Sequence, residues 1–244
     1  MATQSTRQIL QSYVTDYAHD PLAVTTTFGI RVDDQTYTVT IERQGQHQPW
    51  ATTLTRGRPK VATWVWVTDR DTLERIAGGK LLANTTEAKA YGSDAAPLDI
   101  QLVNGQNGSE NFFETTFRPV NQHFWLRGQP EIIDFAASQS RRVHGGHANV
   151  GVYASGIRTA RYTIEPGDHI NAQGPGQDSG RQSDPWTTLF YVISAGSATA
   201  RIGDRRFALQ TDSMITVPPD TRHEFWNDGD TPAELLMITY GSHS

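Results

Sequence analysis

At 244 residues the chain is long for one compact domain and comfortable for two. A formal net charge of −5 argues against nucleic acid and anionic lipid surfaces as partners, because the field of the whole molecule opposes them. The lack of cysteine removes disulfides, thiolate nucleophiles and thiolate-bound zinc together. No apolar run approaches the roughly 18 residues that cross a bilayer, so a soluble, cytoplasmic protein that does not span a membrane is expected.

The first predicted element is a helix: Ile9, Leu10, Tyr13, Val14 and Tyr17 recur at helical spacing, and His19-Asp20-Pro21 ends the pattern. Phe28, Ile30 and Val32 alternate, Asp33-Asp34-Gln35 turns the chain, and Tyr37, Val39 and Ile41 alternate again, which predicts a hairpin with one buried face. Residues 44–60 carry no period and read as a loop. Trp64-Val65-Trp66-Val67 predicts a strand apolar on both faces. Thr68 and Asp71 have capping-box spacing ahead of a helix that carries Leu73, Ile76 and Ala77 and stops at Gly78-Gly79. A helical stretch toward Tyr91 and a strand over 98–103 follow.

This order of elements resembles the sterol carrier protein 2 (SCP2) type of lipid-binding domain. The residues that carry the resemblance are the hairpin from Phe28 to Ile41, the strand Val65-Trp66-Val67-Thr68-Asp69, and the helix ending Ile76-Ala77-Gly78-Gly79-Lys80-Leu81. The resemblance covers roughly residues 5 to 105. It implies an α+β domain over residues 1–108, a sheet with covering helices, and an apolar tunnel for fatty acyl or sterol-like molecules. Trp64 and Trp66 are then candidate ligand-binding residues. Read without the resemblance, either tryptophan is plain core, since aromatic side chains bury large areas wherever they sit.

Asn104-Gly105-Gln106-Asn107-Gly108-Ser109 reads as the linker. Phe112, Phe113, Phe117, His123, Phe124 and Trp125 then concentrate aromatic surface, expected to pack on the second domain or between the domains. Arg141-Arg142-Val143-His144-Gly145-Gly146-His147 reads as a solvated arginine pair and loop histidines. The alternatives are carboxylate or phosphate binding by the arginines, and ligand anchoring or proton transfer by the imidazoles. A metal clip would need a third ligand.

From Thr159 onward, short apolar runs alternate with Gly, Asp and Pro. They are Thr159–Ile164, Leu189–Ile193, Ala198–Ile202, Arg206–Leu209 and Met214–Val217, the pattern of an antiparallel sandwich or barrel. The closing segment resembles the second motif of the cupins, in which Gly, Pro, Gly, His and Asn recur at fixed intervals. Asp212, Pro218, Asp220, His223 and Asn227 hold those places here.

The resemblance implies an all-β cupin-type jelly-roll barrel over residues 109–244, with a connecting segment at its start. Such barrels often hold iron, manganese, nickel or zinc through three His and one Glu, and commonly pair as homodimers. The places of the first motif, between Arg181 and Leu189, carry neither His nor Glu. No cofactor is therefore expected, and the open alternative is a non-standard metal site of His223 with His169, Asp168 and Gln173. Tyr191, Phe225, Asn227 and Gln173 are candidate ligand contacts, and His223 and His169 are candidate catalytic residues. The loop 174–184 is either vacant or a lid.

Phosphate loops, dinucleotide fingerprints and serine elbows are absent from the sequence, and Asp33-Asp34 belongs to a turn. Two functional readings follow. One is a binding protein for a small hydrophobic or lipid-like molecule with a metal-poor barrel. The other is a cupin-type enzyme (oxygenase, isomerase or lyase-like) in which His223 is base or metal ligand.

Overall fold

The computed structural model describes residues 4–45, 50–61, 63–89, 93–103, 112–126, 140–154, 156–172 and 184–241. The chain divides into two compact units, Met1–Glu87 with Ala95–Asp134, and Ala88–Asp94 with Phe135–Ser244. Among the described residues no helix is long and apolar enough to cross a membrane.

The first unit opens with α1 (Thr6–Tyr17), whose start is a capping box: Ser5 Oγ accepts from Gln8 N, and Gln8 Oε1 accepts from Ser5 N. Its strands are β1 (Thr26–Val32), β2 (Gln35–Glu42), β3 (Ala51–Arg56), β4 (Thr63–Thr68) and β5 (Asp99–Val103), in the sheet order β3-β2-β1-β4-β5. Only the β1–β4 pairing is parallel. Part of the expected loop over 44–60 is thus strand β3. Asp69, not Thr68, caps α2 (Arg70–Ala77): its carboxylate accepts from Thr72 N at 2.7 Å. The helical stretch expected toward Tyr91 is one short turn, α3 (Ala83–Thr86).

Alternation puts Phe28, Ile30, Val39, Ile41, Leu54, Trp64 and Trp66 on one face of the sheet, where they share a core with α1 and α2. The aromatic run after the linker joins that same core, and this corrects its expected place against the barrel. A π-helical turn (Phe113–Phe117) leads into α4 (Arg118–Phe124). Phe117, Val120 and Phe124 recur at helical spacing in this core, and the two rings meet the indoles of β4: Phe117 lies 5.4 Å from Trp64, and Phe124 stacks on Trp66 at 5.8 Å. The polar side of this helix is also buried. Arg118 pairs with Glu114, and Asn121 donates to Asn84 and Glu87.

The second unit is a jelly-roll β-barrel of two antiparallel sheets. Its strands are β6 (Arg141–Val143), β7 (Gly146–Ala154), β8 (Ile157–Ile164), β9 (His169–Ile170), β10 (Thr187–Ser194), β11 (Ala198–Ile202), β12 (Arg205–Ala208), β13 (Met214–Val217), β14 (His223–Asn227) and β15 (Ala233–Tyr240). One sheet runs β13-β10-β15-β8-β7-β6 and the other β12-β11-β14-β9. Phe190 and Val192 of β10, Leu235 of β15, Ile164 of β8, Ala200 of β11 and Phe225 of β14 fill the space between them.

Candidate functional site

Strand β14 presents alternate residues to opposite faces, and this decides which of its side chains can meet a ligand inside the barrel. His223 and Phe225 point inward. The His223 ring lies 5.6 Å from Phe190 and 6.3 Å from Phe225, and the residue is 7% exposed. Glu224 and Trp226 point the other way.

The His223 Nδ1 lies 3.1 Å from the Thr221 carbonyl. A carbonyl only accepts, so that nitrogen carries the proton and Nε2 keeps its lone pair. Desolvation by burial holds the His223 pKa below its ordinary value, against an opposing pull from the Thr221 carbonyl and the Asp184 carboxylate.

Strand β9 brings in the second strand end. Ile170 pairs with Phe225, and His169 pairs with Trp226, so His169 shares the outward face. Its Nε2 lies 3.1 Å from Glu224, which Arg201 also holds. The expected His169–His223 partnership is therefore corrected: the sheet separates them. Asp168 is taken up by Arg142 at 2.7 Å and by the turn at Glu165 N.

Hydrogen bonds through Asn171 link a different histidine to His223. The β6–β7 turn places His144 at φ +51° and Gly145 at φ +94°, and the His144 carbonyl accepts from Asn171 N at 2.9 Å. Asn171 Nδ2 in turn donates to the His223 carbonyl at 3.2 Å. The two histidines sense each other electrostatically. Burial lowers the His144 pKa first, Asp94 opposes the change, and the His223 charge lowers it further. Sequence reading left His144 among the loop histidines. The signal was the Gly-Gly after it, which marks a turn tight enough to lie against another strand.

That contact makes Gly145 a sharp test. A Cβ there would stand 2.1 Å from the His169 carbonyl oxygen, at a φ that alanine resists. Gly145→Ala should cost about 1–3 kcal/mol in a denaturant melt and displace His144, visible as a changed imidazole NMR shift. An unchanged melt and spectrum would refute the placement.

The other polar groups inside the barrel lie along the large sheet. Tyr162 packs on the interior core, and burial pushes its phenol up to about 12, so it remains a hydrogen-bond donor at neutral pH. Arg158 pairs with Asp184 at 3.2 Å, and its guanidinium stacks 4.6 Å from the Trp186 ring and 5.1 Å from the Tyr153 ring.

Residues 172–239 match the family model described as Cupin domain. The second unit carries a cupin domain. Solved structures that resemble the chain include a protein from Photorhabdus luminescens, 19% identical, with 46% of this chain and 89% of that one covered and a TM-score of 0.39. A Cupin 2 conserved barrel domain protein from Salinispora arenicola is 14% identical, with 47% and 91% covered and a TM-score of 0.39. The cupin domain of Cnp3 from Schizosaccharomyces pombe is 10% identical, with 47% and 77% covered and a TM-score of 0.36. No protein of curated function matches the sequence.

Cupin barrels can bind metals, and the residues present here can be tested for that role. Among the described residues no group of three or more His, Cys, Asp or Glu side chains is placed to hold a metal ion. His223 offers one lone pair, His169 lies across the sheet, and Gln173 is outside the described residues. Among the described residues this donor set falls short of the three protein ligands that a divalent metal normally takes at a catalytic site.

The remaining expected contacts of the cupin domain divide by strand alternation. Phe225 faces the interior at 4.7 Å from Phe190. Tyr191 faces outward, is 40% exposed, and donates to Asp212 at 2.8 Å. Asn227 is fully buried, but its amide is committed to the fold: Nδ2 donates to Ile164 O at 2.9 Å and Thr231 O at 2.8 Å, and Oδ1 accepts from Gly229 N at 3.1 Å. In the first unit, Trp64 and Trp66 are both 0% exposed and ringed by Phe28, Phe117, Phe124 and Trp125.

The lowered imidazole values of the cupin domain carry a pH prediction. The unfolded chain takes up protons before His144 and His223 do in the fold. Their contribution is fully present above the ordinary value of 6.5 and is lost as the pH falls through the lowered folded values. Urea midpoints taken from about pH 8 down to about pH 5 should decline below neutrality, and His223→Gln should flatten the decline. Identical slopes in the two proteins would contradict it.

Proposed function

We propose that the cupin barrel binds a small, mostly apolar organic molecule, oriented by the His223 and His144 imidazoles. The observation that carries this reading is the inward His223 ring, held in one tautomer with Nε2 unprotonated, against the Phe190 and Phe225 walls. A buried neutral imidazole beside aromatic rings suits a ligand with one hydrogen-bond donor on an apolar body.

The domain organisation proposed for the chain is an SCP2-like domain over 1–108 followed by the connecting segment and barrel over 109–244. The five-stranded sheet sharing a core with α1 and α2 supports the first half. The chain's own rings surround Trp64 and Trp66, so the ligand is assigned to the barrel rather than to that aromatic core.

A homodimer is proposed through the outer face of the large sheet, where Tyr191, Ile193, Met214 and Tyr240 are exposed. Met214→Asp should convert it to a monomer in sedimentation analysis; a monomeric parent chain would end this part of the reading.

The alternative is an enzyme in which Nε2 of His223 takes a proton from the bound molecule. The lowered imidazole pKa favours it, since the base form prevails at neutral pH. Native mass spectrometry of untagged protein, with elemental analysis, tests the whole. A bound organic molecule lost in His223→Ala is the expected result. Stoichiometric metal lost in the same variant, or a bound molecule retained in it, would overturn the proposal.

A further inference from the structure

We infer that a threonine-lined cleft in the first unit binds a neutral polyhydroxylated molecule of the sugar or cyclitol class. The cleft has a volume of about 340 Å³, and Thr25, Thr26, Thr27, Thr40, Thr63 and Thr116 line it. Clefts of roughly 300–1,000 Å³ are the size that encloses small molecules.

These threonines come from separate elements. Thr26 and Thr27 lie on β1, Thr40 on β2, Thr63 at the start of β4 and Thr116 in the π-helical turn. Strand propensity accounts for threonine on the outer face of a sheet. It does not account for a threonine from a helical turn closing the same concavity.

Pairing sets the floor. Thr27 stands opposite Thr40, and Thr63 Oγ1 donates to the Thr27 carbonyl. The Thr27 and Thr40 hydroxyls are 3.5 Å apart, too long to satisfy each other fully. Thr63 has spent its donor on the Thr27 carbonyl and can only accept, while a threonine hydroxyl otherwise donates once and accepts twice, which matches a ligand whose hydroxyls do the same.

The rest of the lining narrows the class. Among the described residues it contains no lysine, arginine or histidine, so they offer an anion no counter-charge. Among the described residues its carboxylate is Glu42, which falls short of the oxygen set a hard cation takes but can accept from two neighbouring hydroxyls. Half-buried Phe112 offers a ring to the C–H face of such a molecule.

Saturation-transfer NMR on the full chain, with D-glucose, D-mannose, D-galactose and myo-inositol as probes and D-gluconate as the anionic counterpart, tests the assignment. At least one neutral probe should bind saturably. Thr40→Val, which removes a neutral hydroxyl partner, or Glu42→Gln, which removes the charge of the carboxylate acceptor, should weaken it about tenfold, while Thr53→Val outside the cleft leaves it unchanged. Glu42 is exposed, so its variant reports even where Thr40→Val fails to fold. Saturation by none of the four, equal binding in the cleft variants, or stronger binding of gluconate would overturn the inference.

Discussion

Trp66→Ala is expected to cost about 3–5 kcal/mol of stability, the usual range for removing a large aromatic from a packed interior. Trp66 is fully buried and touches rings on every side. Phe28 lies at 5.0 Å, Trp64 at 5.4 Å, Phe124 at 5.8 Å and Trp125 at 5.2 Å. Those rings belong to β1, β4 and the end of α4, so none can collapse into the space without moving a strand. Urea unfolding gives the size of the loss, and hydrogen exchange should place it in β1, β2 and β4. A variant as stable as the parent would show that the indole lines an adaptable space, as a ligand tunnel requires.

Asn227→Ala should cost about 1–3 kcal/mol, because it leaves the buried Ile164 carbonyl, the part-buried Thr231 carbonyl and the Gly229 N–H without their amide partner. The Asn227 side chain ties the end of β14 to Ile164 of β8 and to the turn at Thr231. His223→Ala, four residues earlier on the same strand, should cost less in the melt and more in ligand capture. If Asn227→Ala instead keeps the parent midpoint and loses the ligand, Asn227 is a contact after all and the bracing role fails.

The difference between these two residues shows how far the motif could be read. The Pro218–Asn227 run was legible as the end of a β-barrel, because Pro and Asp mark turns and the apolar runs mark strands by local chemistry alone, and the cupin reading came from its resemblance to the family's second motif. The roles inside it were not, since one residue's shift in strand register exchanges the face of every side chain. His169 and His223 both stood at strand ends in the sequence. Only the pairing of His169 with Trp226 put them on opposite sides of the sheet.

Trp64 and Trp66 make the same point in the first unit. Their strand and its apolar character were visible, but whether the facing volume held a ligand or the chain's own rings depended on α4. The aromatic face of α4 was visible too, at Phe117, Val120 and Phe124. Its docking on β4 was not, because helical spacing defines a face without naming what covers it.

The sequence by itself determined the hairpin of β1 and β2, the apolar faces of α1 and α2, and the barrel strands. Each follows from residue types a few positions apart. Tertiary structure alone decided that Asn171 links His144 to His223, that Asn227 braces a turn, and that threonines from a strand pair and a helical turn share one cleft. Such contacts join segments distant along the chain, and their geometry is set by packing and sheet register, which no local pattern encodes.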